Sequence, residues 1–173
     1  MTAATDPTPT KLSPEQAELQ RQVGTAWREI RRGASAIRIK DLFYGAGPDG
    51  LDLALADALT VLCQSGPMRM GELAEALHIT PASTTRAVNC LVDKGYVERV
   101  KDADDQRSIV VSATPQGSER YLLIASRVQS GIGQILSSFE PSEQVLLAEF
   151  LTRFVESVET YVASEDARGD DHR

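Results

Sequence analysis

In the stretch PASTTRAVNCLVDK, residues 81–94, Ser83, Arg86 and Asn89 recur every third residue, a spacing that gathers them on one side of an α-helix. With Ala82, Cys90 and Asp93 they make its outward face, opposite Thr84, Thr85, Val88, Leu91 and Val92. These side chains suit the base edges of a DNA major groove: arginine can pair bidentately with guanine and asparagine with adenine. Ser83 can reach phosphate or base, and the hydroxyls of Thr84 and Thr85, near the helix start, can reach the DNA backbone. A polar outer face is common to soluble helices, so the next segment of the chain carries much of the weight. YVERVK and RSIVVSA alternate or run β-branched on either side of the polar DADDQ, predicting a two-stranded hairpin with an exposed tip. Arg99, Lys101 and Arg107 give that hairpin positive charge, and Asp105, two residues before Arg107, can orient its guanidinium. The competing reading is an ordinary acidic hairpin tip.

The elements that must position these residues are legible around them. MGELAEAL (residues 70–77), the turn His78-Ile79-Thr80 and the helix from Pro81 have the spacing of a helix-turn-helix. Thr80 caps the second helix, Pro81 opens it and Gly95 can end it in the left-handed conformation. Upstream, Asp52 caps an apolar helix over residues 53–64 that carries Cys63 into the core and stops at Ser65-Gly66-Pro67. At the N-terminal side, Ser13, Pro14 and Gln16 form a capping-box start for one long helix. Its apolar stripe is Leu19, Val23, Ala26, Ile30, Ala34 and Ile37, with Arg21, Arg28 and Arg32 opposite, and FYGAGPDG (residues 43–50) follows as a loop.

Thr114-Pro115 opens a further helix striped by Leu122, Ala125, Val128, Ile132, Ile135 and Phe139. Glu140-Pro141 breaks it before a last helix carrying Leu147, Phe150 or Leu151, Phe154, Val158 and Tyr161. These stripes exceed what so small a body can bury, which predicts a homodimer, the alternative being a monomeric helical bundle. The expected division is a flexible tail over 1–13, an N-terminal dimerisation helix over 14–45 and a winged helix-turn-helix over 51–114. C-terminal dimerisation helices over 115–164 and a frayed acidic end over 165–173 complete it. The fold class is therefore mainly α with a small β-hairpin wing.

Composition bounds the function. The chain has 173 residues, 42% hydrophobic and 25% charged, the balance of one ordinary soluble domain. No apolar run approaches the roughly 18 to 20 residues of a membrane-spanning helix, and the N-terminus lacks the pattern of a secretory signal, so a cytoplasmic protein is expected. Two cysteines and two histidines support neither a disulfide framework nor a structural zinc site. His78 and His172 have no nucleophile at a recognisable spacing, and Gly45-Ala46-Gly47 lacks the context of a dinucleotide loop. No catalytic residue, metal or cofactor is expected. The formal charge of −7 is unevenly spread, with +5 over residues 21–40 and −5 over residues 114–173, and DNA contact depends on the local field.

GELAEALHIT, STTRAVNCLVDKGYVER, the wing DADDQRS with its Asp-x-Arg at Asp105 and Arg107, and Thr114 with Gly117 together resemble the winged helix-turn-helix regulators of the multiple antibiotic resistance (MarR) type over roughly residues 15–162. The resemblance implies a homodimer joined by its N- and C-terminal helices. Such a dimer would bind a pseudo-palindromic operator, usually as a repressor released by a small ligand or by oxidation. It also implies that Arg107 reaches a minor groove and that Arg86 lies on the recognition helix. The chain differs from the family pattern at Asn89 and Cys90, where an acid and an arginine are frequent, at His78 in the turn and at Gln106 in the wing. These differences reduce its attraction for phosphate.

For the effector, a small lipophilic or aromatic-acid molecule, the resemblance points to the place where the DNA-binding lobe meets the dimerisation helices. Trp27, Ile30, Phe43 and Tyr44 can wall such a pocket, and Arg31 or Arg38 can meet an acidic group. The same residues also fit core packing and solvated charge. Two other functions stay open from the residues: a thiol-based redox sensor acting through Cys90, and a winged-helix protein-contact module without DNA binding. Arg86 and Asn89 on the outer face weigh against the latter.

Overall fold

Ser13 caps the first helix: its hydroxyl accepts from the Gln16 N–H at 3.1 Å, and the Gln16 side chain accepts from the Ser13 N–H at 3.0 Å. A computed structural model of the chain describes residues 12–47, 49–101 and 109–170. In order, the elements are α1 (Pro14–Arg32), α2 (Ala34–Tyr44), α3 (Leu53–Ser65), α4 (Met70–Ala76), α5 (Pro81–Asp93), β1 (Val97–Lys101), β2 (Ile109–Ala113), α6 (Pro115–Leu136) and α7 (Pro141–Asp170). The chain divides into two compact units between Arg127 and Val128, within α6.

The first unit holds the buried core. Asp52 caps α3 by accepting from the Leu55 N–H at 2.9 Å, and the helix buries Leu55, Ala56, Ala58, Leu59 and Leu62. Leu73 and Ala74 of α4, Ala87, Val88 and Leu91 of α5, Val97 of β1, Val110 and Val111 of β2 and Ile124 of α6 complete the packing. The antiparallel register pairs Val97 with Ala113, Arg99 with Val111 and Lys101 with Ile109. Met68 adds a bridge that the sequence pattern does not announce: its N–H donates to the Val111 carbonyl at 3.1 Å, and the Val111 N–H returns the bond at 2.9 Å. One isolated bridging residue has no period to detect.

Two sequence expectations change here. The long first helix is two helices, because Gly33 adopts an extended conformation (φ −64°, ψ 161°), ending α1 and opening α2. Phe43 and Tyr44 form the last turn of α2, and the loop starts at Gly45. On α1, Leu19, Val23 and Ile30 of the apolar stripe are exposed, as is Trp27. Cys63 is half-buried, and burial pushes its thiol pKa up while a hydrogen bond with Ser118 partly opposes the shift.

Thr114 ties the start of α6 to the end of the recognition motif. Its hydroxyl donates to the Gly95 carbonyl at 2.7 Å and accepts from the Gly117 N–H at 3.0 Å, while its own N–H donates to the Tyr96 carbonyl at 3.0 Å. Gly117 is required at this joint, since a Cβ there would overlap the Tyr96 carbonyl oxygen. Gly95 takes φ +73°, as expected for the residue that ends α5.

In the second unit, the end of α6 turns into α7 through Ser137, Ser138 and Phe139. The Gln144 side-chain amide donates to the Leu136 and Phe139 carbonyls, and the Glu143 carboxylate accepts from the Glu140 N–H, closing the turn and capping α7. Helix α7 extends to Asp170, past Glu165, where the sequence predicts a frayed acidic end. Phe150, Leu151, Val155, Tyr161 and Val162 on α7 are exposed.

Candidate nucleic-acid interface

The recognition motif is fixed by short-range chemistry. Between α4 and α5, His78 adopts φ +51°, a left-handed conformation that glycine tolerates better than any residue with a side chain. That bend lets the Ile79 N–H reach the Ala74 carbonyl at 3.2 Å. Thr80 then caps α5, its hydroxyl oxygen accepting from the Ser83 N–H at 3.3 Å, with Pro81 in the first helical turn.

The inward face of α5 is Thr84, Ala87, Val88 and Leu91, all buried. Thr84 is at 0% exposure and its hydroxyl donates to the Thr80 carbonyl at 3.1 Å, which removes it from the DNA-contacting set. Its position on the helix puts it under the N-terminal turn, and its membership of the apolar face is the one signal of this in the sequence. Thr85 is exposed, with its hydroxyl donating to the Pro81 carbonyl at 2.8 Å. Ser83, Arg86 and Asn89 are exposed together on the outward face, as the three-residue spacing requires. Cys90 is half-buried and lines a groove of about 320 Å³ beside the start of α3, together with Asp52, Leu55, Ser83 and Arg86.

The hairpin brings its own basic residues beside this face. Val97, Arg99 and Lys101 share one side of β1, yet only Val97 is buried, so the strand leaves the core within its own length. Arg99 then crosses to α5: its guanidinium donates to Asn89 Oδ1 at 2.6 Å. Spacing alone treats Arg99 and Asn89 as separate contacts; a bond between a helix and the next strand leaves no trace in periodicity. Lys101 is exposed at the strand end. Asp105 and Arg107 lie outside the described residues.

The residues expected to bind an effector fall in two places. Trp27, Ile30 and Arg31 are exposed on α1, with the Arg31 guanidinium 6.0 Å from the Trp27 ring centre. Phe43 and Tyr44 meet edge to face at 6.3 Å at the end of α2 and are half-buried. The Tyr44 phenol is raised by burial and by the neighbouring Asp57 carboxylate. The open cleft at this corner, about 560 Å³, is lined instead by Asp41, Leu42, Gly45, Ala46, Asp49, Arg120 and Arg127. Arg120 holds the loop by donating to the Tyr44 carbonyl at 2.6 Å and to the Asp49 carbonyl at 3.0 Å, filling the space that a side chain at Gly45 would need. Among the described residues no group of three or more histidine, cysteine, aspartate or glutamate side chains could hold a metal ion, and no helix is long and apolar enough to cross a membrane.

A helix-turn-helix followed directly by a two-stranded wing, with polar and basic side chains on the exposed face of its second helix, defines a winged-helix regulator. Residues 52–109 match the MarR family. The HTH-type transcriptional regulator Mb0904 of Mycobacterium bovis is 31% identical over 97 residues, spanning 56% of this chain and 68% of that protein. Among solved structures, the transcriptional regulator BldR of Sulfolobus solfataricus superposes with a TM-score of 0.57 at 26% identity, covering 82% of this chain and 99% of BldR. FabT of Streptococcus pneumoniae, determined in complex with DNA, has the same fold at a TM-score of 0.67 and 16% identity, covering 83% of this chain and 96% of FabT. The chain belongs to the MarR family: it is a DNA-binding transcriptional regulator and not an enzyme.

Proposed function

We propose that the chain works in the cytoplasm as a homodimeric repressor that places α5 of each protomer in a major groove of a pseudo-palindromic operator. The observation that carries this reading is the shared exposure of Ser83, Arg86 and Asn89 on α5 beside Arg99 and Lys101 on β1. Arg86 offers a bidentate donor pair to guanine, Thr85 and Ser83 offer hydroxyls near the helix start, and Lys101 offers a charge to phosphate. Arg107, two residues after Asp105 in the sequence, supplies a further positive charge for DNA. FabT, which shares the fold, was determined with DNA, and that supports the same use of the fold here.

The dimer accounts for the uncovered apolar side chains. Leu19, Val23 and Ile30 on α1, and separately Phe150, Leu151 and Val155 on α7, are exposed in the single chain, and burying them against a second protomer removes that cost. In this reading 14–45 and 115–164 dimerise and 51–114 binds DNA. In this reading a small lipophilic or aromatic-acid ligand modulates binding, with Trp27, Ile30 and Arg31 on α1 and Phe43 and Tyr44 at the end of α2 as its candidate contacts.

Selection of bound fragments from random duplex DNA tests the core of the proposal. The expected product is an inverted repeat with half-site centres about 10 base pairs apart, bound by a dimer in sedimentation or light scattering. Absence of any enriched repeat, or binding by a monomer alone, would refute it.

A further inference from the structure

We infer that Arg99 fixes the hydrogen-bonding sense of Asn89, so that the pair reads guanine, and not adenine, in the major groove. The inference rests on the operator-binding reading and deepens it. A free asparagine presents its oxygen and its amino group side by side, the pattern that matches adenine N6 and N7. Asn89 is not free in this way. The guanidinium of Arg99 carries only donors, so the amide atom it meets at 2.6 Å must be the oxygen. Turning the amide over would set its NH2 group against another N–H group, and the charged bond therefore holds one orientation.

That orientation changes what a base pair meets. The Asn89 oxygen is already engaged by a cation, and the positive charge beside it repels the amino group at adenine N6. What stays available is the Asn89 NH2 group together with the remaining N–H groups of Arg99, and both residues are exposed. A set made only of donors matches the edge with two adjacent acceptors, guanine N7 and O6. The join is local and firm: the Tyr96 N–H donates to the Leu91 carbonyl at 2.9 Å, so α5 and β1 are connected by a tight turn. Arg99 is in this sense a positioning residue for Asn89.

The experiment compares sequences enriched by the full chain with those enriched by Asn89→Ala, Arg99→Ala and Arg99→Lys. Affinities for the consensus duplex and its single-base variants are measured by fluorescence anisotropy at one salt concentration. Thermal melting confirms that each variant is folded. Asn89→Ala marks the base position that Asn89 reads. The expected result is guanine at that position for the unaltered chain, preferred over adenine by about tenfold or more. Arg99→Ala abolishes that preference at the same base pair, and Arg99→Lys restores part of it. Adenine at the marked position overturns the inference, as does an Asn89→Ala variant that relaxes no position. A uniform loss of affinity in Arg99→Ala with the guanine preference intact overturns it too, assigning Arg99 to phosphate. No enriched repeat for the unaltered chain overturns the operator reading and this inference together, an outcome distinct from the others.

Discussion

Replacing Thr114 by valine keeps the shape of the side chain and removes its hydroxyl, which makes two hydrogen bonds at the joint between α6 and the recognition motif. Loss of the N-cap to the Gly117 N–H costs about 1 kcal/mol. Loss of the bond to the exposed Gly95 carbonyl costs about another 1 kcal/mol, the ordinary net contribution of a hydrogen bond. The sum, about 2 kcal/mol, corresponds to a fall in Tm of about 4 to 8 °C for a protein of this size. Calorimetry or circular dichroism melting measures it, with protomer concentration fixed because a dimer's Tm depends on concentration. Thr114→Ser keeps the hydroxyl and gives up one methyl group, so it should lose at most about 1 kcal/mol. A valine variant as stable as the serine variant would refute the joint as an energetic feature. Gly117→Ala tests the same place from the other side. The added methyl meets the Tyr96 carbonyl, which is backbone and cannot rotate away, so the change costs about 1 to 3 kcal/mol despite alanine's better helix propensity. Because both substitutions disturb one contact, the double variant should lose less than the sum.

Thr84→Val should lower Tm by a few degrees and leave the selected DNA sequence unchanged, because its hydroxyl faces Thr80 in a buried position; an altered consensus would return it to the DNA surface. Arg86→Ala should cost about 1 to 3 kcal/mol in operator binding and relax one base position, whereas Arg107→Ala should weaken all sequences and flatten the salt dependence of affinity. Burial raises the Asp57 carboxyl, so between its ordinary value and its raised one the folded state holds more protons than the unfolded state. Its contribution to stability therefore falls as pH rises through that window. Asp57→Asn should raise stability at neutral pH with a gain that shrinks on acidification, and it should lower the titration of the Tyr44 phenol, read by ultraviolet absorbance. A Tyr44 titration unchanged by the substitution would remove Asp57 as its neighbour.

The parts of this molecule that are legible in its sequence are those governed by short-range rules. Ser13, Asp52 and Thr80 cap where their side chains and neighbouring residues say they should, and Gly95 takes a positive φ because a helix must end there. The outward face of α5 also follows from helical geometry alone. The break at Gly33 is hidden because the apolar spacing of Leu19 to Ile37 continues through it: a helix interrupted by one extended residue can keep its stripe. Thr84 is misleading in the sequence because a threonine near a helix start fits either a buried back-bond to the preceding turn or a phosphate contact, and only packing decides. The Met68 bridge, the Arg120 strut under the loop and the Arg99 to Asn89 bond all join residues through tertiary proximity, where neither periodicity nor propensity carries a signal.

The acidic balance of the chain and its use of DNA are compatible for a reason that lies in the same geometry. Long-range attraction to phosphate scales with the cations near the duplex, and in the proposed operator complex these are Arg86 on α5, Arg99 and Lys101 on β1, and Arg107. Of these, Arg99 is engaged with an asparagine oxygen and keeps its full charge, since the partner is neutral. An aspartate or glutamate at position 89 would have formed an ion pair with Arg99 and cancelled that charge at the groove. Asn89 thus helps offset the absence of an arginine at Cys90. The consequence is measurable: Asn89→Asp should weaken binding to all duplexes and reduce the salt slope by about one counterion, in addition to any change in base preference. An unchanged salt slope in that variant would show that the charge at Arg99 does not reach the DNA.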